Sequence, residues 1–111
     1  MPALPPKFVR GKGVDAVAEF KAFVVAVEKP AAHLLAELID IQNSGAPSGI
    51  PTADGAATSV RGLYCRKLNG WAVFYTFEPK PFRIMVIYVA RLSPSPFSTL
   101  EGEAADRMRR S

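Results

Sequence analysis

The segment Tyr64-Cys65-Arg66-Lys67-Leu68-Asn69-Gly70-Trp71-Ala72-Val73-Phe74-Tyr75-Thr76 decides the fold. Asn-Gly sits between two strand-like runs, and both of its residues accept positive φ. That combination favours the two-residue type I′ hairpin turn. The spacing predicts one strand at about 60–68 and a second at about 71–77. A two-residue turn also sets register. Leu68 falls opposite Trp71, Arg66 opposite Val73 and Tyr64 opposite Tyr75 on one face. Lys67, Cys65 and Leu63 fall opposite Ala72, Phe74 and Thr76 on the other.

Downstream, Glu78-Pro79-Lys80-Pro81 forms a second turn into the apolar run from Phe82 to Leu92, completing a three-stranded antiparallel meander. The length of this turn leaves the faces of Arg83 and Tyr88 unassigned. Upstream, residues 43–58 are rich in Gly, Pro, Ser and Asn and read as a loop. Residues 14–28 read as a helix, because Ala16, Phe20, Phe23, Val24 and Val27 recur at helical spacing. Asp15 and Glu19 suit its positive N-terminal end. Pro30 starts a second helix, with Ala31, Leu34, Leu35, Leu38 and Ile41 as its apolar stripe and His33, Glu37 and Asp40 on its solvated face. The short link makes the two an antiparallel hairpin. Phe8 and Val9, after two prolines, fit a short edge strand within residues 4–10. At the other end, Ser98-Thr99-Leu100-Glu101 matches a capping box, and Leu100, Ala104 and Met108 share one face of a short terminal helix.

The expected architecture is therefore α+β. An antiparallel sheet, made of a short N-terminal strand and a three-stranded meander, packs on an N-terminal helix hairpin and is followed by a short C-terminal helix. A chain of 111 residues supports one core, so residues 1–111 are read as a single domain. The helix hairpin must cover one sheet face, and the smaller, more apolar Leu63, Cys65, Ala72 and Phe74 suit burial beneath it. Tyr64, Arg66, Trp71 and Tyr75 are then expected on the open face.

Composition narrows the function. Hydrophobic residues make up 49% and charged residues 22%, which excludes a disordered chain. No apolar run reaches the roughly 20 residues of a membrane span. The N-terminus lacks the apolar stretch of a signal peptide, so a cytoplasmic location is expected. One cysteine and one histidine leave too few ligands for an ordinary zinc site, and no metal or cofactor is expected. The net charge of +4 is unevenly spread. Residues 58–92 carry Arg61, Arg66, Lys67, Lys80, Arg83 and Arg91 against Glu78 alone. A field of that sign attracts polyanions. Tyr64, Trp71 and Tyr75 beside Arg66 would offer stacking surfaces for bases. Cys65, in an apolar strand, reads as a small buried hydrophobe, and His33, bracketed by Glu37, as a surface residue.

The order of strand, helix hairpin, Gly-rich loop, basic meander and terminal helix resembles the RelE/ParE superfamily of toxins from type II toxin–antitoxin systems. The resemblance runs from Pro30 to Met108. It rests on the Pro-Ala-Ala helix start, Val60-Arg61-Gly62-Leu63-Tyr64, Trp71-Ala72-Val73-Phe74-Tyr75, and Ile84 to Val89 ending at Arg91. Gly62-Leu63-Tyr64 and Ala104-Ala105-Asp106-Arg107-Met108 favour the HigB/RelE-like branch.

The resemblance implies a toxin that cuts messenger RNA on the ribosome without a metal and inhibits translation. Its partners would be a cognate antitoxin and ribosome-bound mRNA. By position, Arg61, Lys67, Arg83 and Tyr88 would form the catalytic set, with Arg66, Arg91, Tyr64, Tyr75 and Trp71 binding RNA. Two positions depart from the pattern: Cys65 replaces the family glutamate, and Ala90-Arg91 stands where many members carry His or paired lysines. The ParE-like branch, which inhibits DNA gyrase without nuclease activity, is the alternative. A non-catalytic nucleic-acid-binding protein of phage type is the third reading. The open basic face would suit an acidic, amphipathic antitoxin segment.

Overall fold

The computed structural model describes residues 6–11, 13–43, 56–57, 60, 62–79 and 82–110. Its elements are β1 (Lys7–Phe8), β2 (Arg10–Gly11), β3 (Val14–Asp15), α1 (Ala16–Val27), α2 (Ala31–Asn43), β4 (Ala56–Ala57), β5 (Tyr64–Leu68), β6 (Trp71–Pro79), β7 (Phe82–Arg91) and α3 (Phe97–Arg110). A five-stranded sheet has the order β1-β7-β6-β5-β4, and β2 with β3 forms a small separate hairpin. The fold is α+β with an N-terminal helix hairpin. No helix among the described residues is long and apolar enough to cross a membrane.

The hairpin turn has the expected chemistry. Asn69 and Gly70 take φ of 49° and 80°, the left-handed values a type I′ turn needs. Register follows from it: Leu68 pairs with Trp71, Arg66 with Val73 and Tyr64 with Tyr75. The sheet is mixed rather than wholly antiparallel, because β1 pairs in parallel with β7. β5 and β7 each run antiparallel to β6, so β1, β5 and β7 all point the same way.

Between β6 and β7 the register shifts. Phe74 faces Tyr88, Tyr75 faces Val86, and Ile87 is left over as a bulge. Strict alternation is broken there. Val86 and Val89 join the core under the helix hairpin, while Ile87 and Tyr88 join the core on the opposite face.

The sheet is a middle layer. On one face Val73, Tyr75, Ile84, Val86 and Val89 pack against Phe20 and Phe23 of α1 and Leu34 and Leu38 of α2. On the other, Leu63, Cys65, Ala72, Phe74 and Ile87 pack against Leu100, Ala104 and Ala105 of α3. This reverses the expected assignment of faces. The wide gap beneath two helices is filled by bulky Phe20, Phe23, Trp71 and Tyr75, whereas small Cys65, Ala72, Ala104 and Ala105 let the single helix α3 approach closely.

Local signals explain the helix ends. Asp15 lies in β3 and caps α1, its carboxylate accepting from the Ala18 amide at 3.1 Å. Glu28 closes α1 in the left-handed conformation with φ 53°. In α3 the expected capping box is not used. The helix already begins at Phe97, its first turn closed by Thr99 and Leu100 amides on the Pro96 carbonyl, so Ser98 is a helical residue rather than the cap.

Candidate nucleic-acid interface

Both faces of the meander are covered, and this decides where its cations lie. Arg66 projects from β5 under the helix hairpin and is 7% exposed. A buried guanidinium is tolerable only when paired. Glu37 of α2 supplies the partner, accepting from Nη1 at 2.8 Å. The hydrogen bond from Arg66 holds the Glu37 carboxyl below the usual carboxylate range. Glu37 thus lies partly buried against the sheet, not on a solvated face.

The aromatic residues expected to stack on RNA are core residues. Tyr75 is 1% exposed, and burial pushes its phenol up to about 12. Tyr64 stacks on Tyr75 with ring centroids 5.9 Å apart and meets Phe77 edge-on at 5.2 Å. Trp71 packs against Phe23 at 5.7 Å. These rings fill space beneath α1 and α2, so the expected open platform of Tyr64, Arg66, Trp71 and Tyr75 is overturned. Arg91 alone of the five expected RNA contacts is exposed, its guanidinium 5.3 Å from the Trp71 ring centroid.

Of the four expected catalytic residues, Arg61 lies outside the described residues. Lys67, Tyr88 and Arg83 sit on strand positions of the face that α3 covers. Lys67 is exposed near the hairpin turn, its ammonium 4.4 Å over the Phe97 ring. Tyr88 is half-buried in the middle, stacked on Phe74 with the Arg107 guanidinium 4.2 Å from its ring centroid. Burial pushes its phenol upward, so it stays protonated at neutral pH. Arg83 lies at the far end, its Nε 3.3 Å from Glu78. Ala72 faces Lys67 and Glu78 faces Arg83, so roughly 20 Å separates the two cations along β6, at about 3.3 Å per residue. The structure does not bring them to one point.

Candidate bases are equally constrained. Glu78 accepts from Lys7 at 3.1 Å as well as from Arg83, and the Lys7 hydrogen bond is the main reason its carboxyl titrates low. A proton acceptor so stabilised as the anion is a weak general base. Burial pushes the Cys65 thiol up to about 11, leaving it a protonated core group at neutral pH. His33 is exposed on α2. No cluster of three His, Cys, Asp or Glu side chains able to hold a metal ion occurs among the described residues.

Three participants escaped sequence reasoning: Lys7, Glu37 and Arg107. Arg107 left a signal, since it follows Leu100 by seven residues and so shares the buried face of α3. Glu37 follows Leu34 by three and borders the stripe of α2 in the same way. Comparison with protein-family models, with characterised proteins and with solved structures finds no match for this chain.

Proposed function

We propose that this chain is a toxin of a type II toxin–antitoxin system, built on the RelE/ParE plan, that disables its target by binding rather than by cutting. The element order supports the plan: a strand beside the last strand, a helix hairpin on one face, a meander and a terminal helix. The observation that favours binding is the dispersal of the candidate catalytic groups. Lys67 and Arg83 stand at opposite ends of a strand, Tyr88 is half-buried between them under α3, and the nearby Glu78 carboxylate is held by two cations. Phosphodiester cleavage needs base, acid and charge stabilisation within hydrogen-bond reach of one phosphate. On this reading the target is a DNA-handling enzyme of the gyrase type, and a cognate antitoxin neutralises the chain.

The ribonuclease reading keeps one observation in its favour, because Lys67, Tyr88 and Arg83 share one sheet face and Lys67 stays exposed at its end by the hairpin turn. Expression of the chain alone, followed by a supercoiling assay with gyrase and a messenger-cleavage assay on programmed ribosomes, separates the two. Growth arrest with blocked supercoiling and intact messenger is the expected result. Cleaved messenger would replace the binding mode with the nuclease mode. Expression without effect on growth would remove the toxin reading altogether.

A further inference from the structure

Among the described residues, the outer edge of β7 is paired with β1 over only two residues near its middle. Lys7 and Phe8 lie beside Met85 and Val86, and the Val9 amide donates to the Val86 carbonyl at 3.0 Å. There the strand ends. The Val9 carbonyl accepts instead from the Ala16 amide at the head of α1, and the chain turns out into the β2–β3 hairpin. Beyond Val86, among the described residues, no strand ladder covers this edge. A bare edge is a template for another strand.

Two side chains occupy it, one from each layer. Glu19 reaches over from α1, and its Oε1 accepts from the Val89 amide at 3.1 Å. Arg107 reaches from α3 on the opposite face. Its Nη1 donates to the Ile87 carbonyl at 3.2 Å and to Glu19 Oε1 at 2.8 Å. In a parallel ladder, one residue of the neighbouring strand gives its N–H to the carbonyl before the facing residue and takes the amide after it. Around Tyr88 the Arg107–Glu19 pair does both, so it stands where the next residue of a parallel strand would stand. Stacking of the guanidinium on the Tyr88 ring fixes the donor in place. The bulge at Ile87 explains why β1 does not fill the position itself: the consecutive carbonyls of Val86 and Ile87 are both engaged at this edge, which throws a regular strand out of phase.

We infer that the Glu19–Arg107 pair is a plug that keeps the β7 edge from accepting a strand of a second copy of this chain. It also ties α1 to α3 around the edge, so neither half can leave without exposing backbone groups.

The test compares the full chain with the double variant Glu19→Ala/Arg107→Ala by sedimentation over a range of concentrations and by amide hydrogen exchange. In the unsubstituted chain the Val89 amide should exchange slowly although no strand covers it. In the double variant it should exchange about tenfold faster or more, while β5–β6 amides stay protected, and the variant should self-associate with concentration. Glu19→Gln, which keeps the acceptor, should behave like the unsubstituted chain. A folded double variant that sediments unchanged at every concentration overturns the plug. Should the double variant not fold, Glu19→Ala carries the same test, since Arg107 keeps its bond to Ile87. A Val89 amide that exchanges in the unsubstituted chain as fast as an exposed turn amide overturns the plug without any variant.

Discussion

Arg66 of β5 and Glu37 of α2 form an ion pair at 2.8 Å that fastens the second helix to the sheet from inside the core. The two partners are unequally buried: the Arg66 side chain is 8% exposed and that of Glu37 36%. Removing either one therefore has a different cost. Glu37→Ala leaves a buried guanidinium without its counter-ion, and Arg66→Met leaves a carboxylate that water can reach. Urea melts should show Glu37→Ala destabilising the fold by about 1–3 kcal/mol, below the usual loss for a wholly buried pair because Glu37 is part-exposed. Arg66→Met should cost less. Equal losses, or the reverse order, would mean the pair is solvated.

Two buried acids weaken the fold as pH rises. Burial raises Cys65 to about 11 and Tyr75 to about 12 from ordinary values of 9.0 and 10.0. In each case the folded chain keeps a proton that the unfolded chain releases. Their contribution is complete below pH 9 and falls as pH rises through 9 to 12. Melting temperature should hold up to about pH 9 and decline above it. Cys65→Ala should delay the first part of that decline. A flat profile to pH 11 would contradict the buried placement of both groups.

What the sequence revealed, and what it hid, follows from the kind of signal each feature leaves. Asn69-Gly70 is a local chemical instruction, and the strand register across it was legible from that turn alone. The apolar stripes of α1 and α2 were equally local. The choice of face was not, because both faces of β5 and β6 are apolar and one charge, Arg66, looked like a marker of solvent. Its partner lies 29 residues away, at the border of a helical stripe. The length of the turn after Glu78 left the faces of Arg83 and Tyr88 open, and the bulge at Ile87, which inserts one residue without any sequence mark, flips Tyr88 again beyond it. The closing of the second face depended on how firmly α3 docks, which small residues at Ala104 and Ala105 decide. Of the candidate site, the residue types were readable but their mutual distances were not.

Close docking of α3 makes two of its small positions, Gly102 and Ala104, respond oppositely. Ala104 is fully buried against the sheet, and extra methylenes there have no room. Ala104→Leu should destabilise by about 1–3 kcal/mol. Gly102 lies on the exposed side of the same helix, and a Cβ there would meet nothing within 4 Å. Gly102→Ala should stabilise by roughly 0.5–1 kcal/mol through helix propensity. Thermal or urea unfolding of both variants measures the pair. Tolerance of Leu at position 104 would show that α3 is not packed on Ala72, Phe74 and Ile87.

Which cations meet a polyanion follows from their exposure. Lys67 and Arg91 are exposed near the Asn69-Gly70 turn and rest on Phe97 and Trp71. Arg66 is buried and paired, and Arg83 is tied to Glu78. Each cation that contacts a phosphate of single-stranded nucleic acid adds about 0.7 to the slope of log affinity against log salt. Replacing Lys67 and Arg91 together by Ala should therefore flatten that slope by roughly 1–2 units. Arg66→Met should leave it unchanged, because that guanidinium is buried beneath the helix hairpin and paired with Glu37. Fluorescence anisotropy of a labelled oligonucleotide at several salt concentrations reads both slopes. If Arg66→Met flattens the slope as much as the exposed pair does, the helix hairpin must lift from the sheet during binding, and the covered face is the one that meets nucleic acid.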